Sequence, residues 1–144
     1  MQRTMMKSKI HRATVTGADV DYVGSITLDP ELMRLAAIRE FEQVHVLDID
    51  NGARFETYAM AGRPGDVILN GAAARLVQPA DRVIVITYAS YEESELEAFE
   101  PLIVHVDECN RPIPAEQAVA RAGSNLVWMR TGAERGRKPV SPAP

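Results

Sequence analysis

The chain has 144 residues, 46% hydrophobic and 25% charged, which suits one domain around a single core. Its 16 Lys and Arg against 20 Asp and Glu give a net charge of −4, so no nucleic-acid partner is expected. One cysteine and three histidines exclude a disulfide framework and a zinc cluster, no apolar run approaches the ~20 residues that span a bilayer, and Met1–Ile10 lacks the apolar centre of a signal peptide, so a cytoplasmic enzyme or binding domain without a membrane partner is expected.

The elements read mainly as strands. Lys9–Thr16 carries β-branched Ile10, Thr14, Val15 and Thr16, which favour an extended segment. Asp29-Pro30-Glu31 opens a helix, with Asp29 as N-cap, Pro30 in the first turn and Glu31 at the positive end of the dipole. Leu32, Leu35, Ala36 and the stem of Arg39 recur on its buried face. Two runs, 43–50 and 53–60, flank Asn51-Gly52 and predict a hairpin, because both turn residues tolerate positive φ. Val67–Asn70 predicts a short strand and Gly71–Leu76 about one helical turn. Pro79-Ala80-Asp81 turns the chain into the apolar strand Val83–Ile86, Glu92–Glu95 reads as a solvated loop, and Leu102–Val106 alternates again. Many short strands with small helices between them point to a closed β-barrel rather than a layered α/β domain. From Pro112 onward, Pro114, Pro139, Pro142 and Pro144 among small and basic residues predict a flexible tail over 112–144, in which Trp128 is the one residue suited to docking.

The chemistry starts at Gly24-Ser25. In isolation a Gly-Ser pair in a loop is a turn. Here Tyr22-Val23-Gly24-Ser25 follows Lys9-Ile10-His11-Arg12 and precedes both Asn51-Gly52-Ala53-Arg54-Phe55-Glu56-Thr57-Tyr58 and Asn70-Gly71-Ala72-Ala73-Ala74. These four blocks, in this order, resemble the bacterial aspartate 1-decarboxylase family over 1–111. The resemblance implies a mainly β fold, the double-psi β-barrel with short helices, and a homotetramer whose sites lie between subunits. It also implies a zymogen that cuts itself into 1–24 and 25–144, a step for which a maturation helper protein is a candidate partner. The implied reaction turns L-aspartate into β-alanine and carbon dioxide, supplying pantothenate and coenzyme A biosynthesis.

The residues fit that chemistry. Decarboxylation leaves a carbanion that needs an electron sink. Nothing in the sequence suggests a pyridoxal phosphate site or a metal site, whereas a pyruvoyl group can be made from Ser25, whose ketone would take the substrate amine as a Schiff base. Gly24 carries no Cβ to hinder attack on its carbonyl and tolerates a strained backbone. A dicarboxylate calls for two cations. Arg54 offers a planar fork, favoured here for the α-carboxylate, and Lys9 a compact charge; which cation meets which carboxylate stays open.

Under ideal pleating Arg54, Glu56 and Tyr58 share one strand face, which makes Tyr58 the candidate proton donor. Thr57 then points away, although the resemblance places it against the cleavage site and the substrate; a local twist or bulge near the site would reconcile the two. The resemblance adds Gly71, Ala72 and Ala73 as backbone contacts to the ligand, with Tyr22 and Asn70 beside them. The connection from Gly62 to Asn70 is shorter than the glycine-rich one usual in the family.

Plainer readings exist for each residue. Lys9 and Arg54 suit solvated surface positions, Tyr58 a half-buried strand position, and Gly71-Ala72-Ala73 tight packing alone. His11 fits a satisfied polar role as well as a catalytic one and is not counted as catalytic, and Cys109 reads as inert. The rival functions are a pyruvoyl enzyme for another amino acid, a non-catalytic barrel with an uncut Gly24-Ser25 turn, and a DNA-binding barrel, which the acidic balance disfavours.

Overall fold

The computed structural model describes residues 1–122. The extended N-terminal segment forms β1 (Gln2–Thr14) and β2 (Gly17–Asp19), and β3 (Ser25–Leu28) leads into helix α1 (Pro30–Leu35). Then come β4 (Gln43–Asp48), β5 (Arg54–Ala61), β6 (Val67–Asn70), β7 (Arg82–Glu92), β8 (Leu102–Val106) and β9 (Pro112–Ile113). Two 3-10 segments, Gly71–Leu76 and Glu93–Ala98, and helix α2 (Ala115–Ala122) complete the described chain.

All nine strands join one mixed sheet in the order β2-β6-β3-β5-β4-β7-β1-β8-β9, with β1–β8, β2–β6 and β3–β5 parallel. Only Val15 and Thr16 separate β1, near one end of that order, from β2 at the other. The Thr16 N–H donates to the Val67 carbonyl at 2.8 Å, and the Val67 N–H donates to Thr16 Oγ1 at 3.0 Å. A chain that serves both ends of a sheet within two residues curls the sheet onto itself. The fold is the mainly β barrel with short helices expected from the sequence. No helix among the described residues is long and apolar enough to cross a membrane.

Alternation sets the core. Ile10, Val15, Ile26, Leu28, Val44, Val46, Val67, Leu69, Val83 and Val85 are fully buried, one face of each strand supplying the interior. Leu32 and Ala36 seal one side from α1, as its spacing predicts, and Met33 joins them. Asp29 caps the helix, its Oδ1 accepting from the Glu31 N–H at 2.8 Å. Its other oxygen accepts from the Gly65 N–H at 2.7 Å, which ties the short Gly62–Asn70 connection to the helix start.

Four expectations change in detail. Helix α1 ends at Leu35 rather than running on to Arg39, because Ala37 turns to φ +51°. The hairpin loop spans 49–53 instead of two residues, and only Gly52 takes positive φ (+76°). The acidic run from Glu92 is ordered by a reciprocal capping box between Glu92 and Glu95 and becomes a 3-10 segment with no buried residue. The expected tail opens with structure: Pro112 and Ile113 pair antiparallel with Val106 and His105, and α2 follows. Pro112 suits this sheet edge, where one strand side needs no N–H donor. The rest of the tail, Trp128 included, lies outside the described residues.

Asp48 anchors the hairpin loop. It is 2% exposed, and its Oδ1 accepts from the N–H groups of Asp50 (2.8 Å) and Asn51 (3.2 Å). Burial, and then the adjoining Asp81 carboxyl, raise its pKa above the ordinary Asp value, against the pull of those two N–H groups. The folded state therefore holds more protons than the unfolded one between the ordinary and the raised value. Stability from this group falls as pH climbs through that window. Asp48→Asn keeps the loop acceptor and offers Asp81 an N–H donor without charge. It should raise the melting temperature at pH 8 by roughly 2–6 °C, the effect of about 1 kcal/mol on a domain of this size, and by less at pH 4.5. A lower melting temperature at pH 8 would contradict this account.

Candidate active site

Ser25 is the first residue of β3 and is 1% exposed, whereas the loop before it is open, with Tyr22 59% and Val23 74% exposed. Gly24 thus carries the peptide bond from an exposed loop to a buried hydroxyl. Strand β3 lies between β6 and β5, so Ser25 has a neighbour on each side. On the β6 side it pairs with Asn70, whose Nδ2 donates to Ser25 Oγ at 3.0 Å and to Thr27 Oγ1 at 3.0 Å. Asn70 is itself 3% exposed, so this amide is set by strand pairing and held dry. Because Oγ accepts from Asn70, its own proton points elsewhere and is available to be given up.

Immediately after Asn70 the chain enters its 3-10 segment through Gly71, at φ +65°. A methyl group on Gly71 would stand 2.8 Å from Gly24 Cα and 3.0 Å from Gly24 N, closer than any side chain tolerates. A Cβ on Gly24 would meet only the Asn70 carbonyl, at 4.0 Å. The glycine that lets backbone approach backbone is therefore Gly71, with Gly24 the residue approached. Ala72 is exposed, and Ala73 packs on the core.

On the β5 side the parallel register runs Ile26↔Ala59, Thr27↔Met60. Continued back by one residue, it sets Ser25 beside Tyr58. Residues opposite one another on adjacent strands point to the same face. Ile26 and Ala59 face the core, both at 0% exposure, so Ser25, Thr27, Asn70 and Tyr58 share the other face. The β4–β5 register runs from Gln43↔Tyr58 to Leu47↔Arg54 without a shift, so of the twist or bulge offered for Thr57 no bulge is present along this pairing. The shifts lie in β1, between Met6 and Ser8 and between Ile10 and Ala13. The Tyr58 ring stacks on Phe41, with centroids 6.3 Å apart and planes 26° from parallel.

The two expected cations stand apart from this cluster. Arg54 opens β5, exposed, four residues before Tyr58, or ~13 Å along an extended strand. Lys9 lies on β1 opposite Ile86 and Ile103, half-buried, and desolvation lowers its pKa. In sheet order β1 is three strands from β5. One copy of the chain thus gathers Tyr22, Gly24, Ser25, Asn70, Gly71 and Tyr58, with Arg54 farther along the strand of Thr57 and Tyr58 and Lys9 on β1.

His11 belongs to a different corner. It is 9% exposed and packs edge-on against His105 at 5.7 Å, and burial, aided by the charges of His105, Lys9 and Arg12, lowers its pKa to about 4. It is uncharged at neutral pH. With Arg12, Arg82, His105, Asp107 and Glu108 it lines a cavity of about 220 Å³ whose walls include neither Ser25 nor Tyr58. Cys109 is exposed and free. Two residues of the cluster were not read from the sequence. Thr27 follows Ser25 by two in a strand, a spacing that could have revealed it, whereas nothing in the sequence links Phe41 to Tyr58.

A family model described as aspartate decarboxylase matches residues 1–113. Relatives named aspartate 1-decarboxylase, from two strains of Clostridium kluyveri, are each 55% identical over 112 residues, which is 76% of this chain and 88% of theirs.

Proposed function

The chain belongs to the aspartate decarboxylase family, and on that premise we propose that it converts L-aspartate to β-alanine and carbon dioxide using a pyruvoyl group made from its own Ser25. The observation that carries this reading is the buried Ser25 hydroxyl, held by Asn70 at 3.0 Å and joined to an exposed Gly24 that packs on Gly71.

Maturation uses groups of the chain itself. Ser25 Oγ attacks the Gly24 carbonyl carbon, forming a C–O bond as the C–N bond breaks, and the amine of residue 25 takes up the proton. Loss of the Ser25 α-proton then expels the Gly24 carboxylate and leaves dehydroalanine. Water adds to its imine tautomer, ammonia leaves, and a ketone remains at position 25. Asn70 orients the hydroxyl and Thr57 borders the carbonyl being attacked. Positive-φ Gly71 leaves room for the distorted peptide.

The ketone, once formed, supplies an electron sink for decarboxylation. The chain's other residues bind and move protons. Arg54 offers its fork to the α-carboxylate and Lys9 its ammonium to the second carboxylate. Gly71, Ala72 and Ala73 bring backbone groups against the ligand, with Tyr22 at the mouth. Tyr58 lies on the face of Ser25 and returns a proton to the carbon that has lost carbon dioxide. Lys9 stands on β1, three strands from β5 in sheet order, and Arg54 lies four residues along β5 from Tyr58, a spread that a site shared between copies of a homotetramer would bring together. The product suits supply of pantothenate and coenzyme A.

Intact mass spectrometry of purified protein tests the reading. Fragments 1–24 and 25–144 are expected, the larger lighter by one ammonia than simple hydrolysis would leave it. A chain that stays whole after prolonged warm incubation, with and without cell extract to supply a helper, would overturn it.

A further inference from the structure

Phe41 is a bulky residue in a backbone conformation that bulky residues avoid. Its φ is +68°, and its side chain is 72% exposed, so burial does not account for the strain. The turn around it is held from several sides. The Phe41 N–H donates to the Ala59 carbonyl at 2.8 Å, and the Ala59 N–H donates to the Glu42 carbonyl at 3.0 Å. The Arg39 N–H donates to Glu42 Oε2 at 2.8 Å, and Glu40 Oε1 accepts from the Ala61 N–H at 3.1 Å. Lys7 reaches the same turn through the Ala37 carbonyl at 2.7 Å and through the Glu42 carboxylate. This lattice pins residue 41 to β5 at Ala59, the residue after Tyr58, and so fixes where the Phe41 ring emerges.

It emerges over Tyr58, at a stacking separation of 6.3 Å and a 26° interplanar angle, within the range of an offset aromatic pair. We propose that Phe41 is a positioning residue for the reaction: its ring, held by the strained and pinned turn 39–42, fixes the pitch of the Tyr58 ring so that the hydroxyl meets the carbon to be protonated. A tyrosine half-exposed on the outer face of a strand has two ring torsions to restrain. A proton donor displaced by as little as 1 Å loses much of its effect. A flat neighbour on one face restrains the tilt and leaves the hydroxyl clear. The inference rests on Tyr58 being the proton donor.

The test compares Phe41→Asn, Phe41→Trp and Tyr58→Phe as fully cleaved, full-length proteins. Asn tolerates positive φ, so Phe41→Asn should fold at least as well as wild type while losing only the ring. Its kcat should fall roughly tenfold with KM within about twofold, and its solvent deuterium isotope effect on kcat should rise as protonation becomes limiting. Phe41→Trp, which restores a flat neighbour, should recover most of the turnover. Wild-type kcat and isotope effect in Phe41→Asn, beside an impaired Tyr58→Phe, would overturn the role of Phe41 alone. Wild-type turnover in Tyr58→Phe would instead remove the reading on which it rests. A fall in Phe41→Asn that Trp does not rescue, without a change in isotope effect, would also overturn it by pointing to a structural role.

Discussion

Ser25→Ala protein should remain a single chain indefinitely and show no decarboxylation above background. The loss should be at least about 10⁴-fold, on the scale of removing an enzyme's nucleophile. The substitution deletes one oxygen and leaves the barrel intact, since Ser25 contributes no apolar packing and the Ile26, Leu28 and Leu69 core beneath it is unchanged. The Asn70 amide keeps its bond to Thr27 Oγ1 at 3.0 Å, so it is not stranded. Denaturing electrophoresis and intact mass on wild type and variant, purified side by side, decide the matter. Cleavage of the alanine variant between 24 and 25 would assign the cut to an outside protease and remove Ser25 from both maturation and catalysis.

Tyr58→Phe separates the chemistry of the finished enzyme from its making. The substitution keeps the ring, its stack on Phe41 and its place in the Gln43↔Tyr58 pair, and removes only the hydroxyl. In the proposed maturation, self-cleavage uses Ser25, Asn70 and the Gly24–Gly71 contact, none of which involves that hydroxyl, so the variant should mature normally. Aspartate should bind within a few-fold of wild type, because the proposal assigns its charges to Arg54 and Lys9. Turnover should fall by about 10²–10⁴, the worth of a positioned general acid. Steady-state kinetics on fully cleaved protein is the measurement. Unchanged kcat would leave an ordered water as the proton source.

The site was legible from the sequence to different depths. Ser25, Gly24 and Asn70 were named from local blocks, and the strand pairing Ser25↔Asn70 brings two of those blocks together across 45 residues. The face shared by Ser25 and Tyr58 followed in part from period-two alternation, which put Tyr58 opposite Thr57. What alternation could not supply was the parallel register of β3 on β5, since it depends on which strands become neighbours. The twist or bulge offered for Thr57 arose from that gap, because a single strand read alone carries no information about its neighbour. Phe41 was invisible because its ring reaches Tyr58 only through a turn whose geometry is imposed by Ala59 and Glu42.

By itself the sequence determined most of the core strands, the helix cap at Asp29, the hairpin, the buried faces and the blocks that carry the family resemblance. Each of these depends on interactions within a few residues along the chain: side-chain period, turn chemistry and local hydrogen bonds. The tertiary structure alone decided that β1 and β2 close the sheet, that Gly71 rather than Gly24 is the glycine without room for a side chain, and that Lys9 stands on a strand three places from β5. It also decided that Pro112–Ile113 joins the sheet. These are questions of which distant strands pair and in what register, and that choice is made by burying all the apolar faces at once, a global condition that no local stretch of residues contains.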